Sequence, residues 1–280
     1  MGKLIRLITQ FFGSFRTCNK NRCSVMVDFI VLRHVYLYFA ANVRACSAFQ
    51  KESPGASFVQ IPISPYSFYL ILESAVARNL LEIKAVKLSP TEPFTWASGL
   101  LSPIYCDNRV ALSHPAARTF LKNCLAEKSQ SFGDFDVVAG VATAGIPHGA
   151  LLADVLNKPF IYVRSSAKDH GRRNQIEGEL KPGQRVLVIE DLISTGGSCL
   201  VAVDALRDAG AEVVGVLAIF QYGFAKADQA FAEKGVPFKT LSNYHALVQE
   251  AVRSGYVSET DLNTLNKWRE NPEAWGALYA

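Results

Sequence analysis

Two adjacent carboxylates, Glu190 and Asp191, stand where an apolar, β-branched run from Arg185 to Ile189 ends. A turn of hydroxyl and glycine residues follows, Ser194-Thr195-Gly196-Gly197-Ser198, and then a helical pattern from Cys199 to Ala209. A strand, a small-residue turn and a helix N-terminus in that order present converging backbone N–H groups, and the helix dipole favours a phosphate among them. The neighbouring acids could hold ribose hydroxyls or a metal ion. Together these residues point to a ligand carrying both a sugar and a phosphate. The turn lacks the lysine of a P-loop and the spacing of GxGxxG, so neither of those nucleotide motifs is present.

A second group of residues could act on the same ligand. The polar stretch 164–180 contains Lys168-Asp-His-Gly-Arg-Arg173, three fixed positive charges and a histidine. Alone, such a loop is usually a solvated hairpin. Beside a phosphate cradle, a long cationic loop could instead be a lid over a polyphosphate. The small-residue turn 142–146 offers free amides, a weaker signal. His148 reads as structural, His114 and His245 have no evident partner, and Trp96, Trp268 and Trp275 read as packing residues.

The elements that must position these groups follow from periodicity. Leu70 to Ala85 has helical spacing, with Leu72, Val76, Leu80 and Ile83 on one face. Residues 89–109 read as turns joining short strands, and His114 to Lys128 as a helix with Pro115 in its first turn. Strands are expected at Asp136–Val141, Phe160–Val163, Arg185–Ile189 and Val213–Phe220, with helices between them such as Pro147–Leu156. Leu241 to Ala280 reads as mostly helical, with Ser258-Glu-Thr-Asp261 as a helix start. This alternation predicts an α/β fold with a mostly parallel sheet covered on both faces. Ligands in such sheets bind at the carboxyl ends of the strands, so the loops 142–146, 164–180 and 190–198 should converge on one crevice.

Composition fits a globular chain, 49% hydrophobic and 19% charged. Its net charge of +4 is unevenly spread. Residues 1–66 hold eight Lys/Arg against two acids (Asp28, Glu52), whereas residues 67–280 hold 21 Lys/Arg against 23 acids. The body therefore carries no nucleic-acid footprint. No CxxC pair occurs among the six cysteines, which argues against zinc and fits reduced thiols and a cytoplasmic location. The basic segment 1–66 is expected to be an extension or the product of a misplaced start. Its Arg-rich, amphipathic beginning makes organelle targeting the second reading. It contains no apolar run long enough to span a membrane. The expected domains are this segment and a body over 67–280.

Four stretches carry a family resemblance. The acid-pair loop resembles the phosphoribosyl pyrophosphate (PRPP) signature of type I phosphoribosyltransferases. Phe94-Thr-Trp-Ala-Ser-Gly99, Ser102-Pro-Ile-Tyr-Cys-Asp-Asn-Arg109 and Lys168-Asp-His-Gly171 narrow the resemblance to orotate phosphoribosyltransferases, over about residues 68–275. The resemblance implies the type I phosphoribosyltransferase fold, with a small hood built from N- and C-terminal parts of the body. It also implies transfer of ribose 5-phosphate from PRPP to N1 of orotate, giving orotidine 5′-monophosphate and pyrophosphate with Mg²⁺ present. Ser194, Thr195, Gly196, Gly197 and Ser198 would hold the 5-phosphate, and Leu192 and Ile193 belong to the same PRPP loop. Glu190 and Asp191 would hold the ribose hydroxyls, and Arg164, Lys168 and His170 the pyrophosphate. Lys168, His170 and Asp191 are the catalytic candidates. Ser194 and Tyr105 would touch orotate. Mg²⁺ would be held mainly by PRPP, not by a protein metal site. The family implies a homodimer whose 164–180 loop acts on the neighbouring site.

Where some family members carry lysine, this chain has Ala97, Ala144 and Ser165, so ligand-binding charge rests more on Arg164, Lys168, His170 and Arg173. Cys106 replaces one of two aromatic residues, leaving Tyr105. Two other readings share the PRPP loop. One is a phosphoribosyltransferase for purines or another pyrimidine, and the other is a PRPP-sensing regulator that binds nucleic acid. The acidic body and the intact Lys168 and His170 argue against the regulator.

Overall fold

The computed structural model describes residues 65–96, 98–165 and 175–277; the N-terminal expectations for residues 1–64 lie outside them. Residues from Leu72 to Ala280 group as one compact unit. Its centre is a six-stranded sheet. In chain order the described elements begin with helix α1 (Pro65–Glu82), strands β1 (Val86–Leu88), β2 (Phe94–Thr95), β3 (Leu101–Ser102) and β4 (Ile104–Cys106), and a 3₁₀ helix, Asn108–Ser113. Helix α2 (Pro115–Ser129), β5 (Val137–Val141), α3 (Gly145–Leu156), β6 (Phe160–Val163), β7 (Ile176–Glu177) and β8 (Arg185–Ile193) follow. The chain continues through α4 (Gly197–Asp208), β9 (Glu212–Gln221), α5 (Ala225–Glu233) and β10 (Phe238–Asn243). It ends with α6 (Tyr244–Arg253), α7 (Leu262–Glu270) and α8 (Pro272–Gly276).

The sheet order is β10-β9-β8-β5-β6-β7, parallel throughout except for β7, which runs antiparallel to β6. The central strands are continuous apolar runs because both faces are covered. All five residues of β5 are buried. One core joins Leu187 and Ile189 of β8 with Leu121 and Leu125 of α2, Leu152 of α3 and Leu247 of α6. The opposite core joins Val186 and Val188 with Val203 and Leu206 of α4 and Phe231 of α5. Each such aliphatic side chain contributes about 1.5–3 kcal/mol by leaving water.

The hood is the other part that matters to the site. Two antiparallel pairs, β1 with β4 and β2 with β3, stand before the sheet in sequence. Aromatic packing ties them to the C-terminal helices. Trp96 lies 5.8 Å from Trp268 and 5.2 Å from Tyr222, measured between ring centroids. The Trp96 indole N–H also donates to the Ile104 carbonyl at 3.0 Å. Trp96, Trp268 and Trp275 are therefore packing residues, as their positions implied.

Several boundaries differ from the sequence reading. Helix α1 stops at Glu82, with Lys84 turning at φ 59°, and the next residues form β1. Strand β8 does not end at Ile189 but runs through both acids to Ile193, paired with β9 as far as Gln221. The stretch 238–243 is a strand, β10, although its Lys, Thr, Ser and Asn conceal it. Its buried Thr240 and Ser242 are satisfied by hydrogen bonds, from Gln221 at 3.0 Å and to the Glu73 carbonyl at 2.8 Å. Ser258 and Asp261 form the expected capping box ahead of α7.

Helix α3 sits against the sheet through glycines. A Cβ on Gly140 would come within 2.9 Å of the Gly145 carbonyl oxygen, and one on Gly145 would collide with the carbonyl oxygen of Ile189. The turn 142–145 can therefore press against the end of β8 only because residue 145 has no side chain. Gly145→Ala should cost about 2–4 kcal/mol of stability, because backbone meets backbone and no rotamer relieves the clash. Urea titration of the wild type and variant checks this; equal stabilities would show that α3 can shift freely.

Candidate active site

The end of β8 brings the acid pair, the small-residue turn and the 3₁₀ helix Asn108–Ser113 to one place. Glu190 is buried, and its Oε1 accepts from the Asp191 backbone N–H at 3.0 Å. Its Oε2 accepts from the Ser198 hydroxyl and the Cys199 thiol, both at 3.4 Å. The side chains of β8 alternate between the two cores up to the acids and then break step. Leu192 joins the core of Leu187 and Ile189, whereas Ile193 packs on the other side. The carboxyl groups of Glu190 and Asp191 consequently lie close enough to act on each other electrostatically.

Burial and the second acid push the Glu190 carboxyl up to about 8. Burial also raises Asp191 above the usual carboxylate range, opposed by its hydrogen bonds and by the Arg109 charge. Without a ligand, the pair retains a proton near neutrality. Such a site is suited to groups that donate hydrogen bonds to carboxylates, as ribose hydroxyls do.

After Ile193 the chain turns through Ser194 and Thr195, and Gly196 takes a left-handed conformation, φ 83°, as the N-cap of α4. Gly196 is pressed onto Phe231, where a Cβ would approach Cε2 to 2.8 Å. No side chain caps this helix. Thr195, Gly197 and Ser198 are exposed, so the first turn of α4 presents its N-terminal end to solvent beside the acids. An uncapped helix start next to exposed hydroxyls can take a phosphate.

The hood supplies the opposite wall. Tyr105 is 39% exposed, a large aromatic surface left open beside Phe94, whose ring centroid lies 5.8 Å away. Burial raises the neighbouring Cys106 thiol well above its ordinary value, and the Asp191 charge adds to this. Arg109 forks onto Asp107 at 2.7 and 3.0 Å, which holds the Asp107 carboxyl below the usual range. Asn108, completely buried, donates from Nδ2 to the Asp191 carbonyl at 2.7 Å. Neither this contact nor the Cys199–Glu190 contact was legible beforehand. Asn108 stood in a recognised stretch with no role attached, and Cys199 looked like an ordinary helix residue.

Arg164 closes the end of β6. Its Nη1 lies 3.6 Å from Glu177 on β7, and its backbone N–H donates to Gln175 at 2.8 Å. Lys168, His170 and Arg173 lie outside the described residues. The 142–145 turn includes a cis peptide between Ala142 and Thr143. Among the described residues no group of three or more His, Cys, Asp or Glu side chains is arranged to hold a metal. Also among them, no helix is long and apolar enough to cross a membrane.

A phosphoribosyl transferase domain matches residues 112–254. An orotate phosphoribosyltransferase of Listeria monocytogenes is 59% identical over 206 residues, 73% of this chain and 99% of the relative. The chain belongs to the orotate phosphoribosyltransferases. It is a transferase that forms orotidine 5′-monophosphate from PRPP and orotate, a step of pyrimidine biosynthesis. Solved orotate phosphoribosyltransferases share its fold. That of Aeropyrum pernix has a TM-score of 0.57 at 31% identity, covering 65% of this chain and 99% of its own. A Mycobacterium tuberculosis orotate phosphoribosyltransferase in complex with PRPP has a TM-score of 0.51 at 28% identity, covering 63% and 98%.

The raised Glu190 carboxyl has a consequence for stability in this phosphoribosyltransferase. Between about pH 4.5 and 8 the folded, ligand-free protein binds a proton at Glu190 that the unfolded chain does not. Its stabilising contribution is therefore complete at low pH and is lost as pH rises through that window. Glu190→Gln should flatten this fall, giving a ligand-free Tm above wild type by about 4 °C at the alkaline end, while KM for PRPP rises. Thermal melts across the range check it, and parallel pH–Tm curves for the two proteins would contradict it.

Proposed function

We propose that ribosyl transfer takes place at the end of β8, with PRPP lying across the acid pair and the α4 N-terminus. The observation that carries this reading is the pair of a buried Glu190 and a half-buried Asp191 beside an uncapped helix start. Ser194 to Ser198 bind the 5-phosphate, with Leu192 and Ile193 forming the floor of the loop. Glu190 and Asp191 accept from the ribose hydroxyls. Tyr105 lies against the orotate ring, and Ser194 touches both phosphate and base.

In the reaction the bond from C1 of the ribose to the pyrophosphate oxygen breaks, and a bond from C1 to N1 of orotate forms. The transition state carries positive charge at C1 and growing negative charge on the leaving group. Arg164, Lys168 and His170 answer that charge, and closure of the 164–180 loop excludes water, which would otherwise capture the ribosyl group. Carboxylates beside the ribose favour a cationic sugar electrostatically. Orotate arrives as an anion with an acidic ring N–H, and the departing pyrophosphate takes up the N1 proton, so no strong base is needed.

Mg²⁺ belongs to this reading through PRPP. Among the described residues no three or more candidate ligands are grouped, and on this reading the ion goes to the phosphate oxygens of PRPP and to water, leaving Glu190 and Asp191 to the ribose hydroxyls. When bound, it neutralises charge on the leaving pyrophosphate. We assign the active form as a homodimer in which the loop serves the neighbouring site.

Two measurements test the assignment. Purified protein with PRPP and Mg²⁺ should consume orotate and leave adenine and uracil unused; turnover of either of those without orotate would overturn the base assignment. Lys168→Ala should reduce kcat by about 100-fold or more while changing orotate affinity only slightly, since the lysine acts on transition-state charge. Equal losses in both quantities would contradict the lid role.

A further inference from the structure

Asn108 and His148 are completely or almost completely buried, at 0% and 2% exposure, and none of the roles above uses them. Asn108 opens the 3₁₀ helix directly after Tyr105, Cys106 and Asp107, and this helix packs on β8. Its Nδ2 donates to the Asp191 carbonyl at 2.7 Å, joining residues 83 positions apart. Its backbone lies beside the imidazole of His148, close enough to oppose in part the lowering that burial imposes on it, and His148 lies in the first turn of α3, just after the 142–145 turn. One residue thus ties together the base wall, the ribose strand and the helix behind the pyrophosphate turn.

Stability explains only part of this arrangement, because Asn108 Nδ2 satisfies the Asp191 carbonyl but other polar atoms of the two side chains go unpaired. Asn108 Oδ1 and His148 Nε2 are both buried without a hydrogen-bond partner. Apolar side chains of similar volume would avoid the cost of those two atoms, although one at position 108 would leave the Asp191 carbonyl without its donor. Burial holds the imidazole down at about 4, so it stays neutral across the working pH range. The Asp191 backbone is meanwhile held at both ends, its N–H by Glu190 Oε1 at 3.0 Å and its carbonyl by Asn108. Freedom at Asp191 is then confined to its own side-chain rotations, and the geometry needed for ribosyl transfer is set in advance.

We propose that Asn108 and His148 are positioning residues that act as one unit to fix Asp191 at the end of β8 for ribosyl transfer. The proposal rests on the ribose role given to Asp191 above.

The variants N108L, H148L, N108L/H148L, N108D and D191N, compared with wild type in steady-state kinetics and thermal melts, test it. N108L leaves the Asp191 carbonyl without its donor and should lower Tm by about 2–12 °C, leaving the protein folded at assay temperature. Its kcat/KM for PRPP should fall about 10- to 100-fold, with KM for orotate changed less than about threefold. The double variant should be little worse than N108L alone, because the two side chains act together. A second signature comes from N108D, which places an acceptor against the Asp191 carbonyl. The Asp107 and Asp191 carboxylates should raise the pKa of the new carboxyl, which becomes a donor once protonated. Its rate relative to wild type should therefore climb as pH falls from about 8 to about 6, and this holds the test open if N108L fails to fold. D191N with undiminished turnover would overturn the ribose assignment and the proposal together. D191N impaired, with N108L and H148L turning over at wild-type rates or with a flat N108D ratio, would overturn the positioning pair alone.

Discussion

Placing two adjacent carboxylates inside a folded protein sets the conditions that the rest of this site meets. Glu190 and Asp191 sit at the end of a central strand, where backbone pairing with β9 continues whatever the side chains are. Desolvation and mutual repulsion would drive such a pair to protonation or outward to water. Here Glu190 is held by the Asp191 amide, the Ser198 hydroxyl and the Cys199 thiol, with the positive end of α4 alongside. The stored electrostatic cost is relieved by a ligand that brings hydroxyl donors. In the proposed site a sugar phosphate does so, with its phosphate reaching the same helix end.

The surrounding architecture keeps that arrangement from relaxing. Gly145 brings α3 into contact with Ile189, and Gly196 lets the turn before α4 lie on Phe231. The two cores hold β8 from both faces, so the acids cannot swing away by rotating the strand. Across the crevice, Trp96, Tyr222 and Trp268 join the hood to the C-terminal helices. The wall bearing Tyr105 and Asn108 is thereby fixed relative to the strand bearing Asp191, within one compact unit.

The legible parts of this arrangement were those with a simple physical signature. The strand–turn–helix order around Glu190 could be read because β-branched residues, acids and glycines follow one another in sequence. The end of β8 could not, since acids look like a strand boundary and parallel pairing through Ile193 depends on a distant partner. Strand β10 was hidden for a related reason: Thr240 and Ser242 are polar, and only their hydrogen bonds to Gln221 and the Glu73 carbonyl make burial tolerable. Gly145 was seen only as one small residue of a turn, because its value lies in what it nearly touches. Asn108 and His148 had the least local signal. Their contacts join segments 40 and 83 residues apart, and nothing nearby in the chain announces them.

The central claim is that the α4 N-terminus and the acid pair form a single ribose-phosphate site. Backbone amide NMR during titration with orotidine 5′-monophosphate tests it most directly. The account predicts that the amides of residues 195–199 and of Asp191 shift together at saturation and exchange more slowly with solvent. Perturbation confined to other segments, with the amides of 195–199 unmoved, would contradict it.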